Sequence, residues 1–168
     1  AAPAADAASS TAAVEEAATG SSAAASDGKV YRIATDTTFA PFEFEDDNGK
    51  MVGIDLDLLD AIAKDQGFQY KVDYVGFSAA VTALESGEAD GVIAGMSITD
   101  ERKQKYDFSE AYYNSGVGMA VLKDSDIASY DDLKGKTVAA KIGTTNCDFA
   151  ESIADKYGFT VTQFEDSS

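Results

Sequence analysis

Short apolar or alternating stretches follow one another along the chain from residue 29 onward, separated by Gly-, Asp- and Ser-containing breaks. Alternation with period two is typical of a strand with one buried face, and a short apolar run fits a fully buried strand. The strands predicted in this way cover residues 30–34, 69–75, 89–93, 117–122, 137–140 and 159–162. The aromatic segment 39–44 and residues 51–53 are predicted to be shorter extended pieces on either side of a turn at 46–50.

Between these strands, apolar residues recur at helical spacing and predict three helices, which cover residues 55–66, 77–86 and 147–157. The side chains expected to face inward are Leu56, Leu59, Ile62 and Ala63 in the first helix and Val81 and Leu84 in the second. Gly67 and Gly87 follow these two helices and are predicted to end them. Strands that alternate with helices predict an α/β fold with largely parallel strand pairing.

Residues 1–28 differ in composition from the rest of the chain. They are mostly Ala, Ser and Thr, and they contain no aromatic residue, Leu, Ile, Lys or Arg. Such a segment cannot bury enough apolar surface to offset the entropy lost on ordering. It is predicted to be a flexible spacer that tethers an exported domain to a membrane or wall, with a plain disordered terminus as the alternative.

The overall composition excludes several classes of function. A formal net charge of -17, from 13 Lys and Arg against 30 Asp and Glu, argues against nucleic-acid binding. The absence of His excludes catalysis or metal binding by histidine, and the single Cys147 cannot form an internal disulfide. We interpret this thiol as a small packing residue. No apolar run reaches the length of about 18 residues that a transmembrane helix needs.

The stretch 91–108, GVIAGMSITDERKQKYDF, combines a predicted strand end with polar chemistry. Gly95 allows the backbone to turn after the strand, and Ser97 and Thr99 are residues that cap the start of a helix. Arg102 follows within one turn and carries a guanidinium fork that can hold both oxygens of a carboxylate. Taken alone, the pattern fits a small carboxylate site, but a solvated surface arginine is the more common explanation.

Four motifs then occur together in one order along the chain. They are TDTTFAPFEF (35–44), GIDLDLLDAIAK (53–64), VGFSAAVTALESGEADGVIAGMSITDERKQKYDFSEAYYNSG (75–116) and DLKGKTVAAKIGTT (132–145). This run closely resembles the bacterial extracytoplasmic amino-acid-binding proteins of polar amino acid ABC transporters, solute-binding protein family 3, and among them the glutamine-binding type. The resemblance covers residues 29 to about 163. It implies a type II periplasmic-binding-protein-like fold, in which two α/β lobes are joined by a hinge and hold the ligand between them.

The resemblance also implies a domain division. Residues 29–114 correspond to the first lobe, and residues 115–168 correspond to the start of an incomplete second lobe. Members of the family continue well beyond this length, and their later segment supplies the acidic residue that binds the ligand's α-ammonium group. The chain is therefore expected to be a C-terminally truncated fragment that responds little to amino acids by itself.

The ligand site implied by the resemblance comprises Asp36, Phe39, Phe77, Ala94, Gly95, Ser97, Arg102, Lys141 and Thr145. Arg102 is expected to bind the ligand's α-carboxylate, and residues 94–97 are expected to surround that group with backbone and hydroxyl contacts. Phe39 and Phe77 are expected to pack on the ligand's side chain, although core packing is the ordinary role of such residues. Thr145 is expected to contribute from the second lobe.

Asp36 and Lys141 are expected at the far end of the ligand's side chain, Lys141 from the second lobe. A carboxylate beside an ammonium suits a side-chain amide, which donates through its nitrogen and accepts through its oxygen. This pairing favours glutamine as the ligand. Without the resemblance, each of the two residues would be interpreted as a solvated charge.

The resemblance implies a binding protein with no enzymatic activity, no catalytic residue, no metal and no cofactor. It is expected to be a monomer that captures a polar amino acid and delivers it to the membrane permease subunits of an ABC importer. Its localisation is expected to be extracytoplasmic, with a lipid anchor on an upstream Cys that this sequence does not contain. The alternatives are the ligand-sensing domain of a receptor or channel, and a periplasmic enzyme of the same fold such as a cyclohexadienyl dehydratase.

Overall fold

The computed structural model describes residues 28–166. In chain order these form β1 (Val30–Thr35), β2 (Thr38–Phe39), β3 (Glu43–Glu45), β4 (Met51–Val52), α1 (Ile54–Gln66), β5 (Gln69–Tyr74), α2 (Phe77–Glu85), β6 (Gly91–Val92), β7 (Thr137–Lys141), α3 (Thr145–Tyr157) and β8 (Thr160–Phe164). The predicted α/β class is confirmed, while the predicted spacer at 1–28 lies almost entirely outside the described residues. Within the described range, none of the helices combines the length and the apolar character needed to cross a membrane.

The first sheet has the strand order β5–β1–β6, and all of its pairing is parallel. β1 pairs with β5 along its whole length and with β6 at Ile33 and Ala34. Helix α2 packs on this sheet through a cluster of small buried side chains, Ala34, Ala80 and Ala89. Because parallel strands end at the same edge of a sheet, the residues that follow β1 and β6 lie close together there.

Two further sheets surround this edge. Strands β2, β3 and β4 form a small antiparallel sheet between β1 and α1, and β7 and β8 form a parallel pair connected by α3. The Thr144 side chain caps α3 by accepting a hydrogen bond from the Cys147 amide. Cys147 itself is buried in the first turn of this helix, where it packs as a small apolar residue.

The buried faces of the helices differ in detail from the predicted ones. In α1 the buried residues are Asp55, Leu59 and Ala63, which follow one another at four-residue spacing. Ile62 lies beside this narrow stripe and is 42% exposed, so its predicted burial is wrong. In α2 the fully buried residues are Phe77 and Ala80, whereas the predicted core residues Val81 and Leu84 are only half-buried.

The segment between β6 and β7 contains two predictions that are wrong. Residues 117–122 form no strand and are exposed, because no described strand lies beside them to satisfy their backbone N–H and C=O groups. The helix expected to begin after Ser97 and Thr99 is a single 3₁₀ turn, Arg102–Gln104. Thr99 still acts as predicted for a capping residue, since its hydroxyl accepts the Arg102 amide at 3.2 Å.

Gly53 offers a stability test of the junction between β4 and α1. Its φ is +141°, and a Cβ atom at this position would lie 2.0 Å from the carbonyl oxygen of Phe42. Gly53→Ala should therefore lower the free energy of unfolding by about 2–3 kcal/mol in urea denaturation. Gly76→Ala is the matched control, because its φ is also positive but no atom lies within 4 Å of the added Cβ. Equal losses in the two variants would contradict the steric explanation.

Candidate functional site

The predicted site residues lie at the edge of the first sheet where β1 and β6 end. Asp36 follows β1, residues 94–97 follow β6, and Lys141 ends β7 on the opposite side. All nine predicted residues line one cavity of about 1890 Å³. Single-ligand pockets usually measure about 300–1000 Å³, so a small ligand would occupy only part of this space.

Asp36 and Lys141 form a buried ion pair across the cavity. The Lys141 Nζ atom donates to Asp36 Oδ2 at 2.5 Å and to Thr38 Oγ1 at 3.1 Å, and the two charged side chains are only 10% and 3% exposed. Asp36 Oδ1 accepts the Thr37 amide at 2.8 Å. The interpretation of Asp36 and Lys141 as separate solvated charges is therefore wrong. The pair joins the first sheet to β7, and it places the Lys141 ammonium, a donor, next to the Asp36 carboxylate, an acceptor.

The Arg102 side chain also spans the two sides. Its Nη1 donates to the Ser97 carbonyl at 3.0 Å, and its Nη2 donates to the Gly143 carbonyl at 2.8 Å. Its guanidinium carbon lies 5.8 Å from the ring centroid of Phe77, at cation–π distance. Arg102 is thus half-buried and held in place by backbone carbonyls, rather than being a freely solvated surface arginine.

A third contact joins the same two sides. The hydroxyl oxygens of Ser97 and Thr145 lie 3.2 Å apart, at hydrogen-bond distance. Thr145 is the first residue of α3, so this contact places the start of that helix against the loop that follows β6. Together with the contacts of Lys141 and Arg102, it means that the two sides of the cavity are joined by polar groups of predicted site residues.

Aromatic rings form one wall of the cavity. Phe39 stacks on Phe42 with ring centroids 5.1 Å apart, and Phe42 meets Tyr113 edge to face at 5.0 Å. Gly95 packs so closely on this wall that a Cβ atom there would lie 2.6 Å from the Phe39 ring. Phe77 is 5% exposed, so it contributes to the core as well as lying below Arg102.

Two buried carboxylic acids, Asp55 and Glu43, were missed by the sequence prediction. Asp55 is fully buried and accepts the Gly95 amide through Oδ2 at 2.6 Å and the Tyr112 hydroxyl through Oδ1 at 2.9 Å. The Gly95 N–H, which was expected among the backbone contacts to a ligand, is therefore used inside the protein. The sequence did not indicate a buried role for Asp55, because acidic residues in the first turn of a helix usually face solvent and stabilise the helix dipole.

Glu43 is the second of these residues. Its side chain is fully buried, and neither carboxyl oxygen has a hydrogen-bond donor among the described residues. Burial, followed by contact with Asp55 and the nearby charge of Asp36, raises the pKa of Glu43 to about 10, while Lys141 opposes the change. Burial and Asp55 likewise raise the pKa of Tyr112. Both side chains therefore keep their protons at neutral pH and can act as donors.

The raised pKa of Glu43 predicts a pH dependence of stability. Between the ordinary value of 4.5 and about 10, the folded protein holds a proton that the unfolded chain has released. This contribution to stability is complete below pH 4.5, and it is lost as the pH rises towards 10, by up to about 1.4 kcal/mol per pH unit. Glu43→Gln should remove this loss, so that its free energy of unfolding increases relative to wild type between pH 5 and pH 9.

Urea denaturation at several pH values provides the measurement for Glu43→Gln. Glu45→Gln, at the exposed end of the same strand, is the matched control and should follow the wild-type profile. If Glu43→Gln also follows the wild-type profile, Glu43 is ionised in the folded protein and the prediction is wrong.

Comparison with known proteins adds sequence relatives to this geometry. The sequence model of a family described as bacterial extracellular solute-binding proteins, family 3, matches residues 31–151. The arginine-binding extracellular protein ArtP of Bacillus subtilis is 37% identical over 127 residues, which are 76% of this chain and 49% of that protein. A probable histidine-binding protein of Neisseria gonorrhoeae is 39% identical over 129 residues, 77% of this chain and 48% of that protein. The chain thus spans about half the length of these curated relatives.

Solved structures show the same similarity in three dimensions. An ancestral arginine-binding protein matches with a TM-score of 0.76 and 43% sequence identity, both in its arginine-bound and in its glutamine-bound structure. The match covers 82% of this chain and 61% or 60% of the ancestral protein, respectively. The predicted periplasmic-binding-protein-like fold is thereby confirmed.

Proposed function

The chain belongs to family 3 of the bacterial extracellular solute-binding proteins, and on this premise we propose that it binds a polar L-amino acid for import by an ABC transporter. The observation that carries the proposal is that all nine predicted residues line one cavity, among them Arg102 and the buried Asp36–Lys141 ion pair. The similarity to an arginine-binding and a probable histidine-binding protein supports an amino acid as the ligand class.

The α-carboxylate of the ligand is assigned to Arg102. A guanidinium fork binds a carboxylate through two parallel charge-assisted hydrogen bonds, which are stronger than its bonds to neutral carbonyl groups. The ligand would therefore replace the carbonyl oxygens of Ser97 and Gly143 as acceptors. Phe39 and Phe77 also line the cavity, and we assign them to packing on the aliphatic part of the ligand's side chain.

We rank glutamine first among the possible ligands because of the Asp36–Lys141 pair. A side-chain amide can donate to the Asp36 carboxylate and accept from the Lys141 ammonium, and it brings no charge of its own. An arginine side chain would meet the Lys141 ammonium at the same place and be repelled. Arginine is the second candidate, because the ancestral arginine-binding protein has structures with arginine and with glutamine.

We extend the proposal to the surroundings of the site. Residues 29–114 and 115–168 would belong to two lobes that close on the ligand, and the membrane permease would recognise the closed form. The protein would act as a monomer outside the cytoplasm, held by a lipid anchor upstream of the Ala- and Ser-rich segment. A sensor domain and an enzyme of the same fold stay as alternatives.

A panel of the twenty amino acids tests the function on the protein expressed from its complete reading frame. Glutamine should give the largest thermal shift and a defined Kd in calorimetry, whereas glutaminamide, which lacks the α-carboxylate, should give neither. A ligand at 100 times its Kd adds about 2.7 kcal/mol to the stability of the folded state. A folded protein that responds to none of the amino acids, or that turns over arogenate or prephenate, would contradict the proposal.

A further inference from the structure

Four separate parts of the chain meet at the Asp55 carboxylate. Asp55 itself lies in the first turn of α1 and is fully buried. Its Oδ2 accepts the amide of Gly95, which follows β6, and its Oδ1 accepts the hydroxyl of Tyr112 from the segment before β7. The first residue of β3, Glu43, is also fully buried and follows Phe42, whose carbonyl accepts the Asp55 amide at 3.0 Å.

The hydrogen bonds of this cluster balance only if one carboxyl group carries a proton. Two ionised carboxylates have no donor to share, and their mutual repulsion in a buried site forces one of them to stay neutral. Glu43 has no donor partner among residues 28–166, whereas Asp55 already receives two. A protonated Glu43 that donates its O–H to Asp55 satisfies both side chains. Asp36, Lys141 and Tyr112 are the other ionisable groups that face Glu43.

We propose that Glu43 and Asp55 are positioning residues of the ligand site. Glu43 carries a proton and donates a hydrogen bond to Asp55, and Asp55 in turn holds Gly95 and Tyr112 in place. The inference rests on the proposed function, since the site that it positions is the amino-acid site described above. Neither residue lines the cavity. Their effect on a ligand is therefore exerted through the groups that they hold.

Gly95 links the Glu43–Asp55 pair to two parts of the ligand site, the Phe39 ring and the Ser97 carbonyl that holds Arg102. On one side it packs against the Phe39 ring, with no room for a Cβ atom. On the other side the same loop continues to Ser97, whose carbonyl accepts Arg102 Nη1 at 3.0 Å. A displaced Gly95 would move an aromatic wall and the anchor of the guanidinium together. Tyr112 extends the effect to the neighbouring Tyr113, which packs on Phe42.

Two substitutions of Glu43 separate a donor role from a packing role. Glu43→Gln keeps a hydrogen-bond donor, whereas Glu43→Leu keeps the approximate volume but removes the donor. In Glu43→Leu, exchange of the Gly95 amide with solvent should become about tenfold faster and glutamine should bind about tenfold more weakly, as expected for one lost hydrogen bond to a charged group. At neutral pH, Glu43→Gln should match wild type in its Gly95 amide exchange and in its affinity for glutamine, while its free energy of unfolding is higher. It should also keep its affinity at alkaline pH, where wild type loses affinity as the Glu43 proton leaves.

The decisive measurement is made on the wild-type protein and does not depend on ligand. With ¹³C-labelled Glu, assigned by its loss in Glu43→Gln, the Glu43 carboxyl carbon should resonate as a protonated acid at pH 7. A carboxylate signal at pH 7 would overturn the proposal, as would equal Gly95 exchange in Glu43→Leu and Glu43→Gln. If Glu43 is protonated and Gly95 is protected but no amino acid binds, the network stands and the proposed function fails.

Discussion

Replacing Arg102 with alanine should weaken amino-acid binding by at least about 100-fold, because a desolvated carboxylate that loses its charged partner costs about 3–5 kcal/mol. In the structure this guanidinium lies over Phe77 and bridges the carbonyl groups of Ser97 and Gly143, at the place where a carboxylate would be received. Arg102→Lys should also bind poorly, since an ammonium keeps the charge but cannot offer the planar fork. Calorimetry with glutamine measures both effects.

The matched control for Arg102 is Arg32. It is an exposed arginine on β1 whose Nε donates to Asp90 at 3.1 Å, and its side chain does not line the cavity. Arg32→Ala should leave the Kd for glutamine within about twofold of the wild-type value, as expected for a surface pair. A near-normal Kd in Arg102→Ala, or equal losses in the two variants, would refute the assignment of the carboxylate end.

Replacing Lys141 with methionine should change both stability and ligand preference. The substitution leaves the Asp36 carboxylate buried without its partner, so the free energy of unfolding should fall by about 3–5 kcal/mol. In the ligand-binding protein the uncompensated carboxylate should then favour a cationic side chain, so that arginine or lysine binds more tightly than glutamine. Urea denaturation and a calorimetric comparison of the three ligands measure the two effects.

Two further variants decide whether loss of the Asp36–Lys141 contact causes the changes expected in Lys141→Met. The double variant Asp36→Asn/Lys141→Met removes both charges and should recover most of the stability lost in Lys141→Met, because no unpaired buried charge remains. Lys71→Met is the control, since Lys71 lies on the exposed surface 3.9 Å from Asp73 and should have little effect. An unchanged order of preference in Lys141→Met would count against the assignment of this end to the ligand's side chain.

The sequence pattern predicted local structure well wherever local interactions decide it. The strands predicted at 30–34 and 69–75 form as β1 and β5, and α1 ends at Gly67 in a left-handed conformation, as its position predicted. The apolar run 117–122 shows the limit of such patterns. A pattern records that side chains are suited to burial, but a strand forms only where another strand satisfies its backbone, and none of the described strands does so.

The site was predictable to a different degree. The nine residues were placed together by the resemblance to a family, and the structure arranges them around one cavity. Their direct contacts were not predictable. The Lys141–Asp36 bond, for example, joins residues 105 positions apart, and a local sequence pattern contains no information about contacts at such a separation. Glu43 and Asp55 were missed for a related reason. Each is an ordinary acid in its own segment, and only the packing of β3 against α1 turns the two into a buried pair.

The three contacts across the cavity have a consequence for binding strength. Arg102, Ser97 and Lys141 already have partners within the protein, and these partners occupy the atoms assigned to the ligand. Under the proposed function, these groups compete inside the protein with its own ligand. The apparent affinity is then the intrinsic affinity multiplied by the fraction of molecules in which the groups are not engaged with each other. A substitution that strengthens these internal contacts would make the cavity more rigid and at the same time weaken binding at low ligand concentration.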